Sequence, residues 1–355
     1  MTIKPGAFRF NTDSMKLEIF RGSANYEGTA SMTGIGTLAA GQWEEIQATS
    51  PEVQTGGTRA LFGGGINYPA TYYDRIEYIN LDSTGNGIDF GNLLGSYTWF
   101  GSAVGSRTRG IWMGHQTPAS PYGAVNTIEY VTIASTGNSQ DFGDMVTASI
   151  GGCTSGASNS TRGLQAGGDT TGSGSITNAI QYITMASTGD SVNFGDLSSA
   201  KYAISNLASS TRGVFGGEAP TYSTDIEYVT ISTLGNSADF GNLSAGGSGN
   251  GSGSSNSVRG LFYLGITSPA GVNTIEYITI STLGNAADFG DTTAATFYGA
   301  SAASSTRSVY AGGGSSDVNV INYVQIMTTG NSVDFGDLTQ SKRGLAGLSN
   351  GHGGL

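Results

Sequence analysis

Between glycine-containing turns, the chain carries short runs whose apolar positions fall on both sides of a two-residue alternation. In Ile226–Ile231 (IEYVTI), Ile226, Tyr228 and Thr230 lie on one side and Glu227, Val229 and Ile231 on the other. A strand of that kind belongs in a sheet packed between two neighbouring sheets, where both faces are buried. The same run recurs as IEYIN, IEYVTI, IQYITM, IEYITI and INYVQI, starting at Ile76, Ile128, Ile180, Ile275 and Ile321.

Each recurrence sits inside a larger unit, opened by Arg59, Arg109, Arg162, Arg212, Arg259 and Arg307, about fifty residues apart. A strand ending in glycines comes first, as in Arg59–Gly65 (RALFGGG) and Arg212–Gly217 (RGVFGG). After a loop of varying content comes the IEY strand, then a turn of the form STGNS or STLGN, where glycine supplies a positive φ. The unit ends in DFGDL or a variant, and the dozen residues before the next Arg suffice for a fourth strand. Six units of four antiparallel strands predict an all-β, six-bladed β-propeller over 58–355. Unit one lacks a preceding strand of its own, while Ser341–Asn350 (SKRGLAGLSN) aligns with Ala200–Ser209, the first strand of blade four. The C-terminal strand is therefore expected in blade one, closing the ring. Residues 1–47 read as a β-hairpin segment, with Ala7–Asn11 and Lys16–Phe20 as strands, and 48–57 as a linker.

Composition narrows the function classes. Of 355 residues, 12% are charged and the net charge is -11, which argues against a nucleic-acid footprint or attraction to an anionic membrane. No segment has the length of a membrane span or the apolar stretch of a signal peptide, so the expected product is soluble and made in the cytoplasm. Cys153 is the only cysteine, which rules out an internal disulfide or a cysteine zinc cluster, and it reads as a small buried side chain.

The glycine-ended second strand and four-strand unit resemble kelch propellers, with the DFG phenylalanine standing where that family has a later tryptophan. Gly6–Phe20 (GAFRFNTDSMKLEIF) and Gln42–Ile46 (QWEEI) resemble a module of bacteriophage tail-fibre and other virion structural proteins. The STGNSxDFGDL repeat is similar to propeller repeats from phages of marine bacteria. The resemblance implies a virion protein that contacts other virion proteins through 1–47 and a host cell-surface glycan or protein through the propeller loops. It leaves a homo-oligomer open. A scaffold or decoration subunit and a polysaccharide-degrading propeller are the alternatives.

Candidate chemistry is sparse. The repeated arginines, present in every blade, read as frame residues rather than an anion-binding ring. The turn Asp82–Asp89 spaces oxygen atoms like a calcium loop, but Ala134, Ala186 and Ser232 replace Asp82 elsewhere, so a plain hairpin turn is expected and no metal. With only His115 and His352, no catalytic constellation can be assembled, and we expect neither an enzyme nor a cofactor. His115 reads as a solvated loop residue. The loops after the glycine strands differ strongly between blades and should emerge on one face, where recognition normally resides. Tyr68, Tyr72, Tyr73, His115, Tyr122, Glu218 and Tyr222 are the candidate binding residues on that face.

Overall fold

The computed structural model describes residues 7–11, 16–21, 42–45, 57–69, 71–118, 123–151, 155–244, 250–266, 270–314 and 316–355, and every regular element among them is a β-strand. Contacts divide the chain into two units, Met1–Val53 and Gln54–Leu355. The first holds a three-stranded antiparallel sheet in the order Phe8–Asn11, Lys16–Arg21, Gln42–Glu45, with Phe20 opposite Trp43. The expected hairpin thus gains the Trp43 strand as a third member.

The second unit is a β-propeller of six four-stranded antiparallel sheets. Blade four is typical: from the axis outward it runs Ser205–Ala208, Arg212–Gly216, Asp225–Thr230, Ala238–Asn242. In blade one the innermost strand is Ala346–Ser349, antiparallel to Arg59–Gly63 with Leu348 opposite Leu61. The innermost strands are built from small residues (SAVG, SNLA, SGSS, ASAA, AGLS) because they converge on the axis. A methyl group on Gly105, for example, would lie 2.3 Å from the Ser349 carbonyl oxygen.

The motifs acquire physical causes. In every blade the pairing of the IEY strand with the DFG strand slips by one residue, as between Ile226/Gly241 and Glu227/Asp239, leaving the phenylalanine unpaired. Such a bulge re-aims the extra side chain. Phe240 turns inward and meets Tyr228 edge-on at 5.9 Å, and the five other Tyr–Phe pairs repeat this geometry. The anchor Arg lies over the same tyrosine and donates to a carbonyl of the next blade: Arg59 to Ile133, Arg109 to Met185, Arg162 to Ile231, Arg212 to Ile280, Arg259 to Ile326 and Arg307 to Leu81. Cation–π contact and a charge-assisted hydrogen bond therefore act through one guanidinium.

Two further devices join blades. The STGN turn folds over the outermost strand of the preceding blade: Gly235 and Ser237 donate to Phe194 and Asp196, while the Asn236 side chain accepts from the Asp196 N–H. An edge that would otherwise be open to pairing is covered this way. Deeper in, the Glu of IEY reaches the preceding blade. Glu227 accepts from Ser198 and Lys201, Glu276 from Ser244, and Glu77 from Thr339 while facing Lys342 at 2.8 Å in a fully buried ion pair. Gln181 fills this place in blade three, accepting from Thr147 N–H and donating to its carbonyl, so the latch works without charge.

Candidate functional site

Strand direction gives the disc two unlike faces. On one, the innermost strands end, and the axial mouth is filled by residues 350–355. His352 donates from Nε2 to the Gly105 carbonyl at 2.8 Å and accepts at Nδ1 from Gly354 N–H, while Gly353 donates to Ser255. Burial pulls the His352 pKa below its ordinary value, opposed by the Gly105 carbonyl. Arg59 N–H, bonded to the Asn350 side chain, lies on this face, so the chain enters the propeller there.

On the other face the innermost strands begin, and the loops after the second strands emerge with them. Here the backbone forms a collar. Trp99 donates to Gly344, Gly344 to Tyr298, Tyr298 to Asn250, Asn250 to Ala203, Ala203 to Gly151, and Gly151 to Phe100, neighbour of Trp99. These six N–H···O bonds, 2.5–3.3 Å long, circle the axis. The collar needs left-handed backbone: φ is 52° at Trp99, 57° at Ala203, 63° at Asn250, 61° at Tyr298 and 64° at Gly344. For a residue other than glycine this conformation is strained by about 1–2 kcal/mol. Two of the strained positions, Trp99 and Tyr298, carry large aromatic side chains.

Those side chains wall a pocket of about 270 Å³, lined by Trp99, Tyr298, Tyr202, Gln116, Asn250 and Asp169 together with Ile150, Gly151, Gly172 and Gly174. Trp99 and Tyr298 meet edge to face at 4.4 Å. Burial raises the hydroxyl pKa of both Tyr202 and Tyr298, and each also feels Tyr222 nearby. Asp169 accepts from the N–H groups of Thr171, Gly172 and Gly174 and from the Thr171 hydroxyl. Burial works against its charge, but those donors outweigh it and hold the carboxyl below its usual range. A wider concavity of about 460 Å³ under the blade-two turn, from Tyr130 to Gln140, has no charged side chain among the described residues of its wall.

The residues singled out from sequence do not form one cluster. Tyr68 is 64% exposed, with Arg343 4.7 Å from its ring centre and Asp317 accepting from its N–H. Tyr72, Tyr73 and Tyr222 are half-buried, and Tyr122 lies outside the described residues, as does Cys153. His115 is a correction: it is 2% exposed, inside strand Arg109–Gln116, with its ring stacked 3.4 Å from that of Tyr97. Burial lowers its pKa to about 3, because the strand runs on past the bulge after Met113 and carries the side chain under the Tyr97 ring. Glu218 is likewise a buried partner of Lys201, at 3.7 Å, rather than a surface ligand. Trp99, Tyr202, Tyr298, Asn250 and Asp169 were missed. For Trp99 and Tyr298 a signal was present: in five blades the residue six places after the last position of DFGDL is Trp99, Gly151, Ala203, Tyr298 or Gly344, so a structurally fixed position varies sharply, whereas Tyr202, Asn250 and Asp169 fall outside that register.

No protein-family model and no curated protein sequence matches the chain. A propeller hosts many unrelated functions, so the reading must come from the site.

Proposed function

We propose that the chain is a bacteriophage virion protein, a tail-fibre or tail-appendage subunit that attaches through residues 1–47 and binds a host cell-surface receptor with the propeller. It is a binding protein and not an enzyme. The observation that carries this reading is the polarity of the disc. One face receives the incoming chain and has its mouth filled by residues 350–355, while the other gathers the variable loops around an aromatic pocket. The phage setting rests on the RFNTDS segment at Arg9–Ser14. Glycoside cleavage by a carboxylate pair finds little support in this pocket, where among the described residues Asp169 is the one acid on the wall and already accepts four hydrogen bonds from its own loop.

Binding of the purified chain to intact host cells tests the proposal, with periodate-treated and protease-treated cells alongside. Saturable binding is expected, lost on periodate for a glycan receptor and on protease for a protein receptor. No binding to any host, with incorporation into particles still dependent on residues 1–47, would point instead to a subunit that touches only other virion proteins.

A further inference from the structure

The axial pocket allows the ligand to be assigned a chemical class, an inference that rests on the receptor-binding reading above. We infer that the collar pocket binds a single neutral pyranose ring, a terminal or exposed sugar of a larger glycan.

Charge is the first argument. Among the described residues the one ionised side chain on the wall is Asp169, stabilised by its own loop, and Arg343, whose charge is felt at Tyr298, pairs with Asp317 at 3.2 Å and lies over the Tyr68 ring. An anion would therefore enter beside the Asp169 carboxylate with no cation on the described wall to receive it, and a cation would find that carboxylate already accepting four hydrogen bonds from its own loop. Composition of the wall is the second. Trp99, Tyr202 and Tyr298 supply flat apolar surface, and Gln116 and Asn250 supply amides that donate and accept together. A pyranose has that dual character, with an apolar C–H face and a rim of hydroxyls. An extended aliphatic or aromatic ligand would leave the amides unpaired. Size is the third: about 270 Å³ lies below the roughly 300–1,000 Å³ of pockets that enclose drug-sized molecules, so one ring fits and an oligosaccharide must continue outside.

Backbone strain adds an independent reason to look here. Trp99 and Tyr298 hold left-handed conformations that glycine adopts freely, as Gly344 does at the same place in the collar. Packing alone does not require a ring at these positions, since Ala203 and Gly344 complete the same hydrogen-bonded circle without one. Strain retained at an exposed mouth points to a role for the ring itself.

The same strain makes the test clean. Trp99→Gly and Tyr298→Gly remove the rings while relieving the backbone, so both variants should fold, which thermal unfolding checks. The full chain is mixed with methyl glucoside, galactoside and mannoside, methyl N-acetylglucosaminide, and tetramethylammonium as a cationic probe, and read by saturation-transfer NMR. Contact to the axial ring protons of at least one pyranoside is expected, weakened roughly tenfold or more in each glycine variant and unchanged in Leu234→Ala, an exposed residue of the blade-four turn. No contact with any pyranoside, contact indifferent to both glycine variants, or preferential contact with tetramethylammonium overturns the assignment. The host-cell experiment fails separately: cell binding lost in Trp99→Gly without pyranoside contact removes the sugar class and keeps the receptor reading. Pyranoside contact by a chain that binds no host cell does the reverse.

Discussion

Gly235 and Gly241 sit at opposite ends of one hairpin arm in blade four and share nearly the same backbone, with φ of 153° and 147°. A methyl group on Gly235 would meet nothing within 4 Å, whereas on Gly241 it would lie 2.4 Å from the Gly284 carbonyl oxygen of the next blade. Gly235→Ala should therefore lose only backbone strain, about 1 kcal/mol, and Gly241→Ala about 3 kcal/mol or more, read from urea unfolding midpoints. The buried acids offer a second contrast. Among the described residues Glu129 has no cation paired with it, and burial raises its pKa against the bonds from Ser139 and Leu94. Glu129→Gln, which copies Gln181 in blade three, should stabilise the chain near neutral pH, seen as a higher urea unfolding midpoint. Glu77→Gln should destabilise it by about 3–5 kcal/mol by leaving Lys342 buried without its partner. His115 adds a pH dependence. Its folded pKa of about 3 lies below the unfolded 6.5, so the unfolded chain binds the proton first as pH falls. Stability present above pH 6.5 is then lost toward pH 3, at up to about 1.4 kcal/mol per pH unit. Glu129, with a raised pKa, runs the opposite way, contributing most at low pH. His115→Gln should remove its share of the slope in unfolding midpoints compared at pH 7 and pH 5.

Between elements, stability is carried by contacts that cross from blade to blade. Replacing Arg212 by Met keeps the stem over Tyr228 and deletes the bond to Ile280, which should lower stability by about 1–3 kcal/mol in chemical denaturation. Arg212→Lys should not fully restore it, because an ammonium lacks the planar fork. This is also the scale at which sequence and structure part company. Strand identity, blade number and the pairing of IEY with DFG were legible because burial imposes a two-residue period and the repeat averages out local exceptions. The arginine's carbonyl partner was not, since any backbone oxygen is sequence-silent. Nor was the role of the turn asparagine: Asn236 caps an N–H of the preceding blade, a contact 40 residues away that resembles a metal loop when the turn is read alone. His115 misled for a related reason, because a position that is Gly65 or Gly168 elsewhere reads as loop until the bulge after Met113 extends the strand beneath it. The collar escaped notice because its regularity is one of backbone conformation, and its side chains are as varied as tryptophan and glycine.

At the scale of the whole molecule, the variable loops, the collar and the aromatic pocket occupy one face, and the chain's own residues 350–355 occupy the other mouth. The axis between them is packed with serine, alanine and glycine, leaving about 30 Å³, room for roughly one water. Under the proposed receptor reading the ligand would accordingly be bound at the surface, and deleting residues 350–355 should weaken the propeller while leaving the pocket's ligand class unchanged, measured by unfolding and by pyranoside contact side by side. The pairing of Ala346–Ser349 with Arg59–Gly63 also sets a clock during synthesis. The bond from Arg59 to Asn350 joins positions 291 residues apart, a stretch that takes a ribosome roughly 15 to 60 seconds to translate at ordinary rates. Throughout that interval the strand carrying Leu61 and Phe62 has one open edge, so slower translation prolongs the period in which nascent chains can pair with one another. Polypeptides released before residue 346 should accumulate as strand-exchanged aggregates rather than as monomers with five blades and a remnant.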